Sequence, residues 1–159
     1  MSATLTVTHK ESLTLNGAQQ GGTNTFTIGS IANVLKRIVT VASGNDTTLV
    51  SFHSDQHDDD GTMDVNDVKY LRITNLATNS AHICNLNLQI EAGEDDSAAD
   101  ESVSILLGAG HSFIMGATAD ALSVDDDDPA PDLTLHHLES IIADTVSTAV
   151  QLEVFIATV

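Results

Sequence analysis

The chain has 159 residues, 42% of them hydrophobic and 3% aromatic, and sets 23 Asp and Glu against five Lys and Arg for a formal net charge of −18. Such a field repels phosphate backbones and anionic lipid surfaces, so nucleic acid and membrane are not expected partners; cations and basic surfaces are. The length suits one domain over residues 1–159, and with no Trp its core must be built from Val, Ile, Leu and Ala around Phe26, Phe52, Phe113 and Phe155.

In chain order, Thr4–Thr8 and Ser12–Leu15 alternate, with Leu5, Val7, Leu13 and Leu15 inward, and read as one bent strand. Asn16-Gly17 and Gln20-Gly21-Gly22 supply turn chemistry before a brief strand at Thr25–Ile28. In Ile31–Ala42 a helical turn competes over the first half, but the β-branched run Ile38–Val41 favours a strand. Ser43–Asp46 then reads as the turn of a hairpin returning through Thr47–His53.

A first acidic loop, 54–67, precedes a strand at Val68–Leu76. From Cys84 to Ile90 the alternation is unbroken, with Cys84, Leu86, Leu88 and Ile90 on one face and Asn85, Asn87 and Gln89 on the other, the mark of a half-buried strand. After a second acidic loop, 91–101, Ser102–Leu107 and His111–Met115 flank Gly108-Ala109-Gly110 as a tight hairpin. A brief strand at Ala121–Val124 runs into a third acidic loop, 125–132, where charge repulsion and proline oppose regular structure. Leu135, Leu138 and Ile142 carry helical spacing, so a helical turn or bend is expected before a strand at Ser140–Thr145, and Val150–Ala157 closes the pattern. About eight to ten short strands with little helix predict an all-β, antiparallel two-sheet sandwich of jelly-roll type.

Hard cations take several oxygen ligands around a sharp glycine turn. Asp58, Asp60, Gly61, Asp64 and Asp67 occupy the third, fifth, sixth, ninth and twelfth places of an EF-hand-like loop. The first place is Gln56, the twelfth is Asp where Glu is usual, and a strand follows in place of the exiting helix. Asp58, Asp60, Asp64 and Asp67 are thus the candidate Ca2+ ligands, set against a merely solvated loop, and no other cofactor is implied. His53 and His57 lie four apart without a helical pattern to bring them together, and the adjacent His136 and His137 diverge in any regular structure. Cys84, the sole cysteine, reads as a small buried hydrophobe. No GxSxG motif occurs, and Gly108–Ser112 is a turn before a strand rather than a phosphate loop before a helix. No catalytic residue is predicted. The first residues show neither the basic segment nor the apolar run of a secretory leader.

The segments TLTVTHKESLTLNG, KRIVTV at Lys36–Val41, VKYLRITNL at Val68–Leu76, ILLGAGHSFIM at Ile105–Met115 and VQLEVFIA at Val150–Ala157 are together similar to small β-sandwich structural proteins of tailed viruses, especially marine bacteriophages. The Asp-rich surface suits a high-salt setting of that kind. The resemblance implies a virion component assembled in repeated copies, a homotrimer or similar ring that decorates or cements a shell of major capsid or other virion proteins. A tail- or fibre-associated protein is the alternative, and the acidic loops look like insertions on the pattern. The uncharged polar face of Asn85, Asn87 and Gln89 is then expected to meet neighbouring copies. A calcium-dependent carbohydrate-binding jelly roll is a second class, disfavoured because Tyr70 is the one tyrosine available for sugar faces. A cupin-like metalloenzyme, the third, would need a convergent histidine cluster.

Overall fold

The computed structural model of the protein describes residues 3–53, 63–90, 101–116, 123–124, 136–145 and 148–159. All regular structure among them is strand. In order these are β1 (Ala3–Lys10), β2 (Thr14–Leu15), β3 (Ala18–Gln19), β4 (Thr23–Ile31), β5 (Asn33–Val41), β6 (Thr47–His53) and β7 (Met63–Asp64). Then come β8 (Val68–Asn75), β9 (Cys84–Ile90), β10 (Glu101–Leu107), β11 (Ser112–Gly116), β12 (Ser123–Val124), β13 (His136–Asp144) and β14 (Val150–Thr158).

Two sheets form the body, one ordered β11-β8-β14-β5 and the other β10-β9-β13-β6-β7 with β12 beside β13. Apart from the two-residue strands, their pairing is nested. β5 pairs with β14, β6 with β13, β8 with β11 and β9 with β10, all antiparallel, so the first of these eight strands meets the last and the fourth meets the fifth. β14 also lies against β8, and β13 against β9. This is one long antiparallel ribbon rolled into a sandwich, the jelly roll anticipated above.

Nesting corrects two expected hairpins. β5 and β6 lie in different sheets, as do β10 and β11, so their short connections arch across the core instead of joining neighbours. Glycine serves an arch as well as a hairpin: Gly110 takes a φ of 74° and donates its N–H to the Asn75 carbonyl at 2.9 Å, tying the β10–β11 arch to the end of β8. The arch after β5 is tied in the same way, by Gly44 N–H to the Thr145 carbonyl at 2.8 Å.

Between the sheets, Val41, Leu71, Ile73, Leu152, Val154 and Ile156 meet Leu49, Phe52, Leu86, Leu88, Leu138 and Ile141 in a continuous apolar core. In β9 the expected alternation holds along its whole length, the four apolar residues buried and the three amides half-buried. β13 is strand throughout, so the helical turn does not form within it. A bulge between Leu138 and Ser140 lets Leu138 and Ile141, three apart, both face the core, and this irregular spacing imitates a helical period.

A third layer stands outside the sandwich. Among the described residues β1 and β4 pair only with each other, and β2 and β3 close their far end through Asn16 (φ 53°) and Gly17 (φ 80°), the mirror-image turn that the Asn-Gly pair favours. The root of this arm packs Val7, Ile28 and Ile31 onto Tyr70 and Ala157 of the β8–β14 outer surface, flanked by Leu5, Phe26, Ile114 and Phe155. From Lys10 to Gln20 every residue is exposed. At the root, Ser30 takes a φ of 61° and Ala32 N–H donates to the Thr158 carbonyl at 2.9 Å, directing β4 into β5.

Candidate functional site

The expected interface residues lie together on the outer face of the sheet that holds β9, and Asn85 and Asn87 are bonded into it. Asp144 stands directly opposite Asn85 on β13; its Oδ1 accepts from Asn85 Nδ2 at 3.1 Å and its Oδ2 from Asn87 Nδ2 at 3.2 Å. On the other side, Ser104 Oγ donates to Asn87 Oδ1 at 2.5 Å. Gln89 faces the same way, half-buried, opposite Ser102 and Ser140. One carboxylate thus orders two amides, giving a pre-arranged hydrogen-bonding surface. Asp144 is absent from the expected set because only strand pairing brings residue 144 to residues 85 and 87.

The outer face of the opposite sheet carries a charged cluster that sequence spacing does not reveal. Glu153 takes the Lys36 ammonium at 3.1 Å and the Arg72 guanidinium at 2.5 Å. Arg72 also donates to Thr74 Oγ1 at 2.8 Å and sits over the Phe155 ring at 5.9 Å. The hydrogen bonds from Lys36 and Arg72 hold the Glu153 carboxyl below its ordinary value. A depressed acid contributes stability above its unfolded value and loses it as pH falls through the folded one. Glu153→Gln is therefore expected to destabilise the protein at pH 7 and to approach the wild type as pH falls through the folded value, measured as the melting-temperature difference. Because the Lys36 side chain is 60% exposed, the effect should stay near or below ~1 kcal/mol.

Where the arm leaves this face, a cavity of about 340 Å³ lies between Leu5, Val7, His9, Tyr70, Arg72 and Phe155. Its charged wall, Arg72, is already committed to Glu153 and Thr74. The sequence did carry a sign of this layer, since Phe155 and Ala157 fall on the side of β14 that Gln151 and Glu153 make polar.

Of the candidate calcium ligands, Asp58 and Asp60 lie outside the described residues, as does His57. Asp64 and Asp67 are placed, and they form a turn leading into β8: Asp64 Oδ1 accepts from Asn66 N–H at 2.9 Å and the Asp64 carbonyl from Asp67 N–H at 3.1 Å. Among the described residues no group of three or more His, Cys, Asp or Glu is arranged to hold a metal ion. His136 and His137 are consecutive residues of β13.

Cys84 is buried at 1% exposure, and desolvation, reinforced by the Asp144 charge, pushes its thiol up to about 11. Reactivity follows the thiolate. An aromatic disulfide reagent at pH 8 is expected to leave Cys84 unmodified in the native protein and to titrate one thiol in urea; rapid native labelling would contradict the burial. No helix is long and apolar enough to cross a membrane among the described residues. Comparison with protein-family models, curated proteins and solved structures finds no match for this chain.

Proposed function

We propose that this protein is a non-enzymatic structural component of a virion, a decoration or cement protein that sits on the shell of a tailed virus as a homo-oligomer. The jelly roll supports this reading only in part, because capsid, lectin and cupin domains share it. The observation that carries it is the arm. A ribbon exposed at every position from Lys10 to Gln20 adds nothing to its own core, and its use lies in holding another surface. The ordered polar face around Asn85, Asn87 and Asp144 supplies a second surface suited to hydrogen-bonded contact. At a net charge of −18, copies repel one another, and salt or shared cations offset that repulsion.

Light scattering is expected to give a multiple of the 16.7 kDa chain mass, with three copies favoured, and the assembly should tighten as salt is raised. A monomer at high concentration, with and without calcium, would overturn the homo-oligomer. Electron cryomicroscopy of purified particles tests the location: density for this sandwich on the capsid supports decoration, and its absence from the particle rejects the virion reading.

A further inference from the structure

The arm has two unlike faces. Thr14 Oγ1 donates to Gln19 Oε1 at 3.0 Å and Gln19 Nε2 to Ser12 Oγ at 3.5 Å, so one face is zipped by its own polar side chains. Leu13 and Leu15 occupy the other, 54% and 56% exposed, with Ala18 directly across from Leu15. Among the described residues nothing covers this apolar face at the end of the ribbon.

The sandwich carries a matching concavity on its far sheet. A hollow of about 250 Å³ lies among Ala81, Ile83, Cys84, Leu106, Asp144 and Thr145. Its apolar rim is exposed, Ile83 to 41% and Leu106 to 64%.

Charge singles out these two surfaces in a molecule that otherwise repels its copies. Residues 1–31 hold one Lys and one Glu, for no net charge, and 76–90 and 102–116 hold no Asp, Glu, Lys or Arg at all. On the arm Lys10 and Glu11 cancel, and on the wall of the hollow the Asp144 carboxylate is held by Asn85 and Asn87, so the two surfaces can meet without the like-charge repulsion that separates the rest of the molecule. The competing apolar patch, Val34 and Ile38 on β5, lies beside Lys36, whose 60% exposed side chain would lose its water under a docked arm.

We infer that the arm of one copy seats Leu13 and Leu15 in the Ile83–Leu106 hollow of a second copy, an inference that rests on the homo-oligomer reading above. The arm is rooted on the outside of the β11-β8-β14-β5 sheet and the hollow belongs to strands β9, β10 and β13 of the other, so the contact runs head to tail. Each copy gives one arm and receives one, the arrangement that closes into a ring when its rotation permits.

Two variants of the full chain test this by light scattering, with circular dichroism and thermal unfolding confirming the sandwich in each. Leu13→Asp/Leu15→Asp removes the donor and Leu106→Asp removes the acceptor. Each alone is expected to fall to the 16.7 kDa monomer, while an equal mixture recovers a dimer of twice that mass, because an intact arm then meets an intact hollow. Cross-linking gives an independent readout should either variant misfold: in a Cys84→Ala background, Leu15→Cys mixed with Leu106→Cys should form an intermolecular disulfide, and Leu15→Cys mixed with Ile38→Cys should not.

A wild type that is itself monomeric overturns the homo-oligomer and this contact together. A wild-type oligomer that survives both sets of Asp substitutions overturns the contact alone. Disulfide formation at Ile38→Cys in place of Leu106→Cys moves the arm to the β5 face and likewise overturns it.

Discussion

Leu152→Ala is expected to lower the unfolding free energy by about 2–5 kcal/mol, read from the urea midpoint at unchanged slope. Leu152 lies in β14 between Val39 on β5 and Asn75 on β8, and it is fully buried against the facing sheet. Its removal takes apolar surface out of the core and leaves a void that close-packed neighbours on three strands fill only partly. Gln151→Ala, one residue earlier and exposed, should stay within about 0.5 kcal/mol and serves as the control. A loss below ~1 kcal/mol at Leu152 would mean that the two sheets do not meet there.

Tyr70→Ala should act differently, loosening the arm before the sandwich. Tyr70 is 4% exposed and meets the Phe155 ring edge-on at 5.9 Å. Among the described residues it belongs to a buried group of five that joins the arm to the body. Losing a buried ring costs about 3–5 kcal/mol, which so small a cluster cannot absorb. Hydrogen exchange should show protection falling across Ala3–Ile31 while β9 and β13 keep theirs; equal losses in both would refute a separate layer. Tyr70→Phe keeps the ring and should keep the arm docked. Burial raises the Tyr70 phenol above its ordinary value, and the nearby Arg72 charge opposes this in part. Its contribution is therefore complete below the unfolded value near 10 and is lost as pH rises through the folded one, so alkali should imitate the alanine variant.

What the sequence discloses divides along physical lines. Period-two alternation is a property of the strand itself, so β9 and β14 are legible without their neighbours, and their packing as an antiparallel sandwich follows from the number of such strands. Partner choice is a property of the whole chain. Gly108-Ala109-Gly110 marks a reversal, but nothing local says whether the next strand joins the same sheet or the opposite one. The bulge in β13 misled in a related way, because one inserted residue turns a period of two into an apparent three. The ordered face at Asn85 and Asn87 was visible as a row of amides, whereas Asp144, which organises it, is 57 residues beyond Asn87 in the chain. Leu13 and Leu15 alternate as inward residues do and are nonetheless exposed, because alternation shows that two faces differ without showing that anything covers the apolar one.

The nested order of strands also sets a timetable. Val41 of β5 is bonded opposite Val150 of β14, and Asn33 opposite Thr158, so the first strand of the sandwich meets its partner only once β14, the last of the described strands, has been synthesised. Pairings so distant in sequence are slow to find, typically milliseconds to seconds in comparable all-β domains. Until then β5 lacks its sheet partner and its Val and Ile side chains are open to other nascent chains. Lys36 and Arg37 in the middle of that strand place charge on an unpaired edge, which disfavours pairing with sibling chains while it waits for β14.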